Sequence, residues 1–411
     1  MSSADVAIVG AGAAGLATAI FIRRLHPRTT VVLLDGARRP GAKILVSGGG
    51  RCNVTNTVVT EKDFWGGRRT IVRRVLRGFS VRDTVAFFHE IGVPLHEEPG
   101  GKLFPDSNNA RDVLNALLNE AERRGVTMAA GARVTDVTRH DERTLRVVTG
   151  DADVLARHVV LASGGRSLPK SGSDGVGFDI AGRLGHTIVP TTPALVPLLL
   201  KDEPAAMHRA LTGVAHEAEL TLWVEDAVEI RLTGSLLWTH FGISGPLALN
   251  MSRHWIRARE DAQLTVSFCP GETFDDLERW WTSRTRAHPQ TSVATQLSSR
   301  LPASVAARLL ERAGVDDATT LAHFAREDRR RLSHALVKSP LAVTGDRGYN
   351  YAEVTAGGVS LDEIDPATMA SRVCPGLSLV GEILDVDGRI GGFNFQWAWS
   401  SARVAAGALG T

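Results

Sequence analysis

The chain has 411 residues, 43% hydrophobic and 22% charged, the make-up of a soluble globular protein of two or three domains. Its 47 basic and 45 acidic residues leave a net charge of +2, a balance that argues against a nucleic-acid partner. Cys52, Cys269 and Cys374 are too few and too far apart for a disulfide framework or a metal site, no apolar run reaches the roughly 18 residues of a membrane span, and no signal-type start is seen, so the expected location is cytoplasmic and away from membranes.

Residues 5–9 read as a short apolar strand, and Gly10-Ala11-Gly12-Ala13-Ala14-Gly15 follows at once. A helix over 16–25 and a second strand over 30–34, ending at Asp35, complete a βαβ unit. Both strands are apolar on both faces, as in a parallel sheet covered by helices. Residues 36–56 are rich in glycine and lack periodicity, which predicts a long functional loop. Helices are predicted over 71–76, 81–91 and 110–124, and strands over 132–137, 145–148 and 158–162, the last closed by Ser163-Gly164-Gly165.

The pattern changes after Pro190. Residues 191–267 alternate in the manner of antiparallel strands, notably over 217–224 and 227–232. Residues 271–339 are mostly helical, with amphipathic stretches at 305–312 and 318–324. The run Arg329-Arg330-Arg331 follows Glu327 and Asp328 and reads as a solvated face. Glycine-rich αβ character returns from Gly348, with a strand within 375–381 and a closing helix over 395–408. The organisation expected is a discontinuous dinucleotide-binding domain over 1–190 and 345–411, a β-rich insertion over 191–270 serving as substrate domain, and a helical segment over 271–344.

The glycine cluster has the full context of a dinucleotide fingerprint: a strand before it, a helix after it, and Asp35 twenty positions beyond Gly15. Gly10 permits the tight turn, Gly12 lets a pyrophosphate approach the backbone, and Gly15 lets helix and strand pack closely. Amides at the helix start, around Ala13 and Ala14, favour negative charge. Asp35, followed by Gly36, is placed to accept a hydrogen bond from a ribose. The motif alone leaves NAD and FAD open. Two later sites, Ser163-Gly164-Gly165 and Gly381-Glu382, each end a strand, and this three-part arrangement resembles flavoproteins with two dinucleotide-binding domains. There the last acidic residue hydrogen-bonds the ribityl or pyrophosphate part of FAD. The fold class is therefore α/β, a Rossmann-like FAD-binding domain of that type interrupted by the β-rich insertion and the helical segment.

Longer blocks sharpen the resemblance. Residues 41–56, from Gly41 through the Ser47-Gly48-Gly49-Gly50-Arg51-Cys52-Asn53 run to Asn56, Thr239-His240-Phe241-Gly242-Ile243-Ser244-Gly245-Pro246, Glu353-Val354-Thr355-Ala356-Gly357-Gly358-Val359, and residues 381–396 occur in order along the chain. Together they resemble the BaiN-type family of NAD(P)/FAD-dependent oxidoreductases, some of whose members are called aminoacetone oxidases. The resemblance implies that the Ser47–Asn56 loop runs along FAD, with Arg51 and Asn53 fixing it there and Lys43 supplying positive charge. It implies that Gly391, Gly392, Phe393 and Asn394 start the last helix and turn their amides toward the flavin pyrimidine edge, and that Val134 gives a backbone contact to adenine. Family members usually carry Tyr at the place of Phe393 and often at that of Leu168, so one member's substrate does not transfer to this chain.

Flavin carries the redox step, so no dedicated acid or base is compulsory. Cys52 sits where disulfide-reducing flavoenzymes place a redox pair, but no second Cys lies nearby, and packing is the favoured reading over catalysis. His240 either lines the substrate cavity and moves a proton or holds its own loop. The leading reaction is hydride exchange between NAD(P)H, as a transient donor, and a small organic acceptor such as an activated C=C bond. An oxygen-using amine or aminoketone oxidase is the alternative, and an RNA-associated flavoprotein a third reading.

Overall fold

A computed structural model describes residues 2–150, 152–203, 206–258 and 262–409. The chain forms two compact units, one made of Met1–Ala194 with Tyr349–Thr411, the other of Leu195–Gly348.

The first unit is organised by a parallel sheet. Strand β1 (Ser2–Val9) lies between β2 (Val31–Asp35) and the strand Val154–Leu161. Thr127–Ala130 adds outside β2, and Leu377–Leu379 pairs in parallel with the far side of Val154–Leu161. Val6, Ala7 and Ile8 are fully buried, as continuous apolar runs in a covered parallel sheet must be. The register brings the strand ends level: Val9 faces both Leu34 and Leu161, and Leu161 faces Leu379. The segments that follow, beginning at Gly10, Asp35, Ala162 and Val380, therefore leave the sheet along one edge.

Helix α1 (Ala13–Leu25) buries Ala14 through Ile22 almost without interruption, and the closing helix Phe393–Ala408 packs along it. Small residues on α1 allow that close approach. Antiparallel strands Val134–Arg139 and Leu145–Thr149 continue the sheet from the start of Val154–Leu161. A second layer pairs Ile188–Ala194 with Val354–Val359.

The segment 36–56 is more ordered than its composition suggests. Helix α2 spans Ala42–Gly50, but Ser47 is extended (ψ 147°), and Gly48 and Gly49 are left-handed, with φ of 55° and 69°. A helical start thus runs into a glycine turn whose backbone only glycine adopts cheaply. Helix α3 spans Arg69–Gly78.

In the second unit a seven-stranded sheet runs in the order Ser339–Leu341, Ala262–Ser267, Ala215–Val224, Ala227–Thr239, Gly242–Ser244, Leu198–Leu200, Val343–Asp346. Its helices Phe274–Ala287, Ala303–Ala313 and Arg326–Val337 share one core with the sheet, through residues such as Trp281, Leu309 and Leu336 beside Trp238 and Leu220. The helical segment is thus not a body separate from the β-rich stretch. A helix, Gly245–Ala258, also interrupts the region read as strands. The amphipathic stretch 318–324 gives only a short 3-10 turn, Leu321–His323. Among the described residues no helix is long and apolar enough to cross a membrane.

Candidate functional site

The level strand ends of the first unit bring three glycine-bearing segments together. Gly10 has φ 102°, and a Cβ there would lie 2.5 Å from the Ala162 carbonyl oxygen. A Cβ on Gly15 would lie 1.8 Å from the oxygen of Gly10, inside the turn itself. Gly12 is the opposite case: nothing lies within 4 Å of where its Cβ would stand. Two glycines thus seal the turn between β1 and α1, and the third keeps an approach open. Gly12 is the N-cap of α1, so the amides of Ala13 and Ala14 head a helix whose first turn has no internal acceptors. An anion reaching Gly12 meets those donors and the positive end of the dipole.

Asp35 has a use in the fold that its spacing did not reveal. One carboxylate oxygen accepts from Ala11 N at 2.6 Å and the other from Ala37 N at 2.7 Å. The side chain braces the turn, and each oxygen keeps a lone pair for a ribose hydroxyl. Gly36 lies against Arg133, with its virtual Cβ 3.1 Å from Arg133 Cδ, so Val134 follows directly beside the Asp35–Gly36 corner. Val134 is buried and pairs with Thr149.

At the next strand end Gly164 is left-handed, with φ 74°, and Ser163 Oγ is buried with no hydrogen-bond partner among the described residues. A Cβ on Gly165 would lie 2.4 Å from Thr355 Oγ1 and 2.9 Å from Glu382 Oε1. Here the fold gathers a polar cluster from four distant segments. Lys43 Nζ donates to Glu382 Oε2 at 2.5 Å and to Ser167 Oγ at 2.7 Å. Ser167 Oγ is also 2.8 Å from Glu382 Oε1, and Thr355 N donates to that oxygen at 2.9 Å. Arg166 N and Ser167 N both donate to Thr355 Oγ1. Glu382 is thereby locked in place, beside Gly381, whose amide donates to Ser401 Oγ and whose carbonyl accepts from Trp397 Nε1. Ser167 and Thr355 are not marked by any local motif, because their role depends on contacts between distant segments, 188 positions between each other and 215 between Ser167 and Glu382.

Glu353, next to this cluster, is the other residue that the sequence reading passed over. It is exposed, although Val354–Val359 after it are wholly buried. Surrounding protein nonetheless withdraws enough water to raise its carboxyl above the usual glutamate range, opposed by the charges of Lys43 and Lys102. A carboxyl that is reachable yet partly desolvated is suited to giving or taking protons.

The Ser47–Asn56 loop is tied chiefly to protein. Ser47 Oγ donates to Ile44 O. Arg51 pairs with Glu98, its Nη1 2.5 Å from Oε1, and its guanidinium lies 4.1 Å over the Phe104 ring. It holds the loop against the hairpin of residues 95–105. Asn53 is buried; in its hydrogen-bonded orientation it donates to Thr55 O at 2.8 Å and accepts from Gly392 N at 3.1 Å, joining this loop to the head of the closing helix. Gly50 and Cys52 are both left-handed, and Cys52 is fully buried. Burial pushes the Cys52 thiol up to about 12, the environment of a packed thiol rather than an activated one.

Gly392 is the N-cap of the closing helix, and a Cβ there would lie 2.4 Å from Thr55 O. Gly391 also has positive φ. The side chains of Phe393 and Asn394 both make contacts within the protein. Phe393 is 1% exposed, with Arg389 stacked 4.7 Å over its ring, and Asn394 clamps Gly388 through both N (2.7 Å) and O (2.9 Å). What this corner offers a ligand is the backbone of the helix start.

His240 belongs to the second unit. It is exposed at the turn after Ala227–Thr239, with its ring edge-on to Phe241 at 5.0 Å, and Arg347 lies 4.5 Å over the Phe241 ring.

Three adjacent parallel strand ends carry the open Gly12 approach, the unpartnered Ser163 hydroxyl and the fixed Glu382. These fit a dinucleotide laid across the carboxyl edge of the sheet, where α/β folds bind such ligands. The chain is an FAD-dependent oxidoreductase. It belongs to the family described as HI0933-like protein Rossmann domain, whose model matches residues 4–408, in agreement with the resemblance carried by the sequence blocks. It is 34% identical over 406 residues to a ribosomal RNA dihydrouridine synthase of Escherichia coli strain K12, covering 99% of this chain and 98% of that one. It is 31% identical to a 3-dehydro-bile acid delta(4,6)-reductase of Clostridium scindens, covering 97% of each. Among solved structures it resembles the 3-ketosteroid-delta4-(5alpha)-dehydrogenase of Rhodococcus jostii RHA1, with a TM-score of 0.53, 15% identity and coverage of 100% of this chain and 97% of that one, a likeness of fold alone.

Proposed function

We propose that this protein uses NAD(P)H to reduce a C=C bond conjugated to a carbonyl group, with Glu353 as the acid. The observation that carries the reading is Glu353 itself: open to solvent, with its carboxyl raised above the usual glutamate range by desolvation, and one residue before the strand that anchors Glu382 through Thr355. Support comes from the two relatives. A dihydrouridine synthase saturates a uracil C=C bond beside a carbonyl, and a 3-dehydro-bile acid delta(4,6)-reductase acts on double bonds conjugated to a 3-oxo group.

Bound FAD supplies hydride chemistry. The chain's part is to bind and to protonate. The α1 start and Gly12 would hold the pyrophosphate and Asp35 the ribose, while Lys43, Ser167 and Thr355 fix Glu382 in place. With hydride delivered to the carbon β to the carbonyl, Glu353 would give its proton to the α carbon and its carboxylate would be reprotonated from water. The former double bond then carries two new hydrogens and charge is balanced.

The test is a split of half-reactions. Glu353→Gln should leave anaerobic flavin bleaching by NADH or NADPH unchanged while slowing reoxidation by an enone or uracil acceptor about 100-fold or more. Equal reoxidation in variant and parent removes Glu353 from the step. Failure of both nucleotides to bleach the flavin removes NAD(P)H.

A further inference from the structure

His186, Glu363 and Ser371 come from three separate segments and meet at the sheet edge opposite the cofactor. Strand Leu377–Leu379 reaches the cofactor edge with Leu379, so its first residue, Leu377, stands at the other end. Ser371 N donates to Leu377 O at 2.8 Å, which fixes the serine at that end. His186 closes the turn after helix Val176–Arg183, its N donating to Ala181 O. Glu363 ends the 3-10 turn Leu361–Glu363, and its carbonyl accepts from Arg372 N.

The His186 ring is buried and bonded at both nitrogens. Nδ1 is 2.8 Å from Glu363 Oε2, and Nε2 is 2.8 Å from Ser371 Oγ. The proton positions follow from counting. Val373 N (3.0 Å) and Cys374 N (2.7 Å) both donate to Ser371 Oγ and fill its two lone pairs. The hydroxyl proton is left for His186, so Nε2 accepts it and Nδ1 donates to Glu363. Glu363 Oε2 also accepts from Thr187 N at 3.0 Å. Burial opposes its charge, but the bonds from Thr187 and His186 prevail and hold its carboxyl below the usual glutamate range, so it is ionised beside the ring. A hydroxyl that gives its proton to a neutral imidazole, whose other N–H meets a carboxylate, is the arrangement of a nucleophilic serine with its base.

We infer that Ser371, His186 and Glu363 form a second active site, which hydrolyses small carboxylic esters through an acyl-serine. Ser371 is half-buried, and beside it Val373 is 39% exposed and lies against Gly185, whose Cβ would stand 3.1 Å from Val373 Cγ1. One valine's apolar surface suits a short acyl chain. Ser371 Oγ bonds the acyl carbon as its proton moves to Nε2, and Glu363 steadies the imidazolium. Attack takes up an oxygen lone pair, so one of the Val373 and Cys374 amides lets go of Oγ. The oxyanion forming on the acyl carbon is its new acceptor. The ester C–O bond breaks as Nε2 returns the proton to the departing alcohol. Water then attacks the acyl carbon, losing a proton to Nε2, and Ser371 Oγ leaves with that proton. Ester and water become acid and alcohol with no redox change. The site is independent of the flavin reaction and does not rest on the acceptor proposed above.

The experiment treats the FAD-loaded protein with a fluorophosphonate, which forms a P–O bond to an activated serine with loss of fluoride. Peptide mass spectrometry should place the adduct on Ser371. Hydrolysis of p-nitrophenyl acetate should fall about 100-fold or more in Ser371→Ala and in His186→Gln, with flavin content unchanged. Glu363 acts through His186 as a positioning residue, so Glu363→Gln should lower kcat about tenfold or more and leave KM within about twofold. The pH profile of the parent keeps the test usable if the His186 variant misfolds. Its kcat/KM should rise with pH through one ionisation and then level off, because the neutral imidazole is the base. No adduct on Ser371, hydrolysis by Ser371→Ala at the parent rate, an unchanged kcat in Glu363→Gln, or a kcat/KM that falls as pH rises overturns the inference.

Discussion

Gly12→Val separates cofactor binding from folding more cleanly than any other change at the turn. Gly12 has φ −82° and open space where a Cβ would go, so valine meets neither strain nor a neighbour in the protein. Its stability cost is that of a poorer N-cap, about 1 kcal/mol. The same side chain fills the approach to the α1 amides. Loss of the helix-end anion contact together with the clash comes to about 3 kcal/mol, or roughly 100-fold in FAD affinity. Gly10→Ala is the matched contrast. Its φ of 102° and the 2.5 Å contact with Ala162 O put the damage in the fold, at about 2 to 5 kcal/mol. The assay is urea unfolding of both apoproteins alongside FAD titration. Gly12→Val should melt like the parent and stay colourless, whereas Gly10→Ala should melt early. A yellow Gly12→Val with parental affinity, or a Gly12→Val less stable than Gly10→Ala, would refute the placement of the pyrophosphate.

Other outcomes follow from the same geometry. Asp35→Ala strands the fully buried Ala11 amide, so the apoprotein should lose about 1 to 3 kcal/mol in urea unfolding even without FAD; an unchanged midpoint contradicts the bracing role. Cys52→Ser should keep flavin content and turnover within about twofold, and the native protein should resist thiol reagents at this position at pH 7 to 8; rapid labelling of Cys52 in the folded state contradicts its burial. Glu353 has a carboxyl raised above its ordinary 4.5, so folding gains from its proton. The stability that parent apoprotein has relative to Glu353→Gln should be greatest below about pH 4.5 and decline as pH rises through the shifted value. A parent that instead gains on the variant with rising pH reverses the sign and removes the raised carboxyl.

The parts of this fold with local causes were legible in the chain. The run 5–9 could only be a covered strand, and the fingerprint spacing placed Gly10, Gly12, Gly15 and Asp35 correctly on the turn and strand end. Helix α2 was not legible, because its glycines obscure a helical start of only a few residues before the left-handed turn. The helices of 274–337 were visible as amphipathic stretches, but their joining the 215–267 strands in one core was not, since periodicity shows that a face is buried and not what buries it. The site shows the same division. Glu382 could be singled out by its place after a strand, yet Lys43, Ser167 and Thr355 become its partners only through pairings between distant segments. Arg51 and Asn394 show the same thing: their protein partners, Glu98 and Gly388, could not be named from sequence.

The most direct test of the central claim is an anaerobic stopped-flow experiment on the purified yellow protein. NADH or NADPH should bleach the flavin, and an α,β-unsaturated carbonyl compound should restore its colour with one equivalent of saturated product, carrying a solvent deuteron at the α carbon in deuterium oxide. Flavin that is bleached by neither nucleotide, or that after reduction is reoxidised only by oxygen with release of peroxide, contradicts the account.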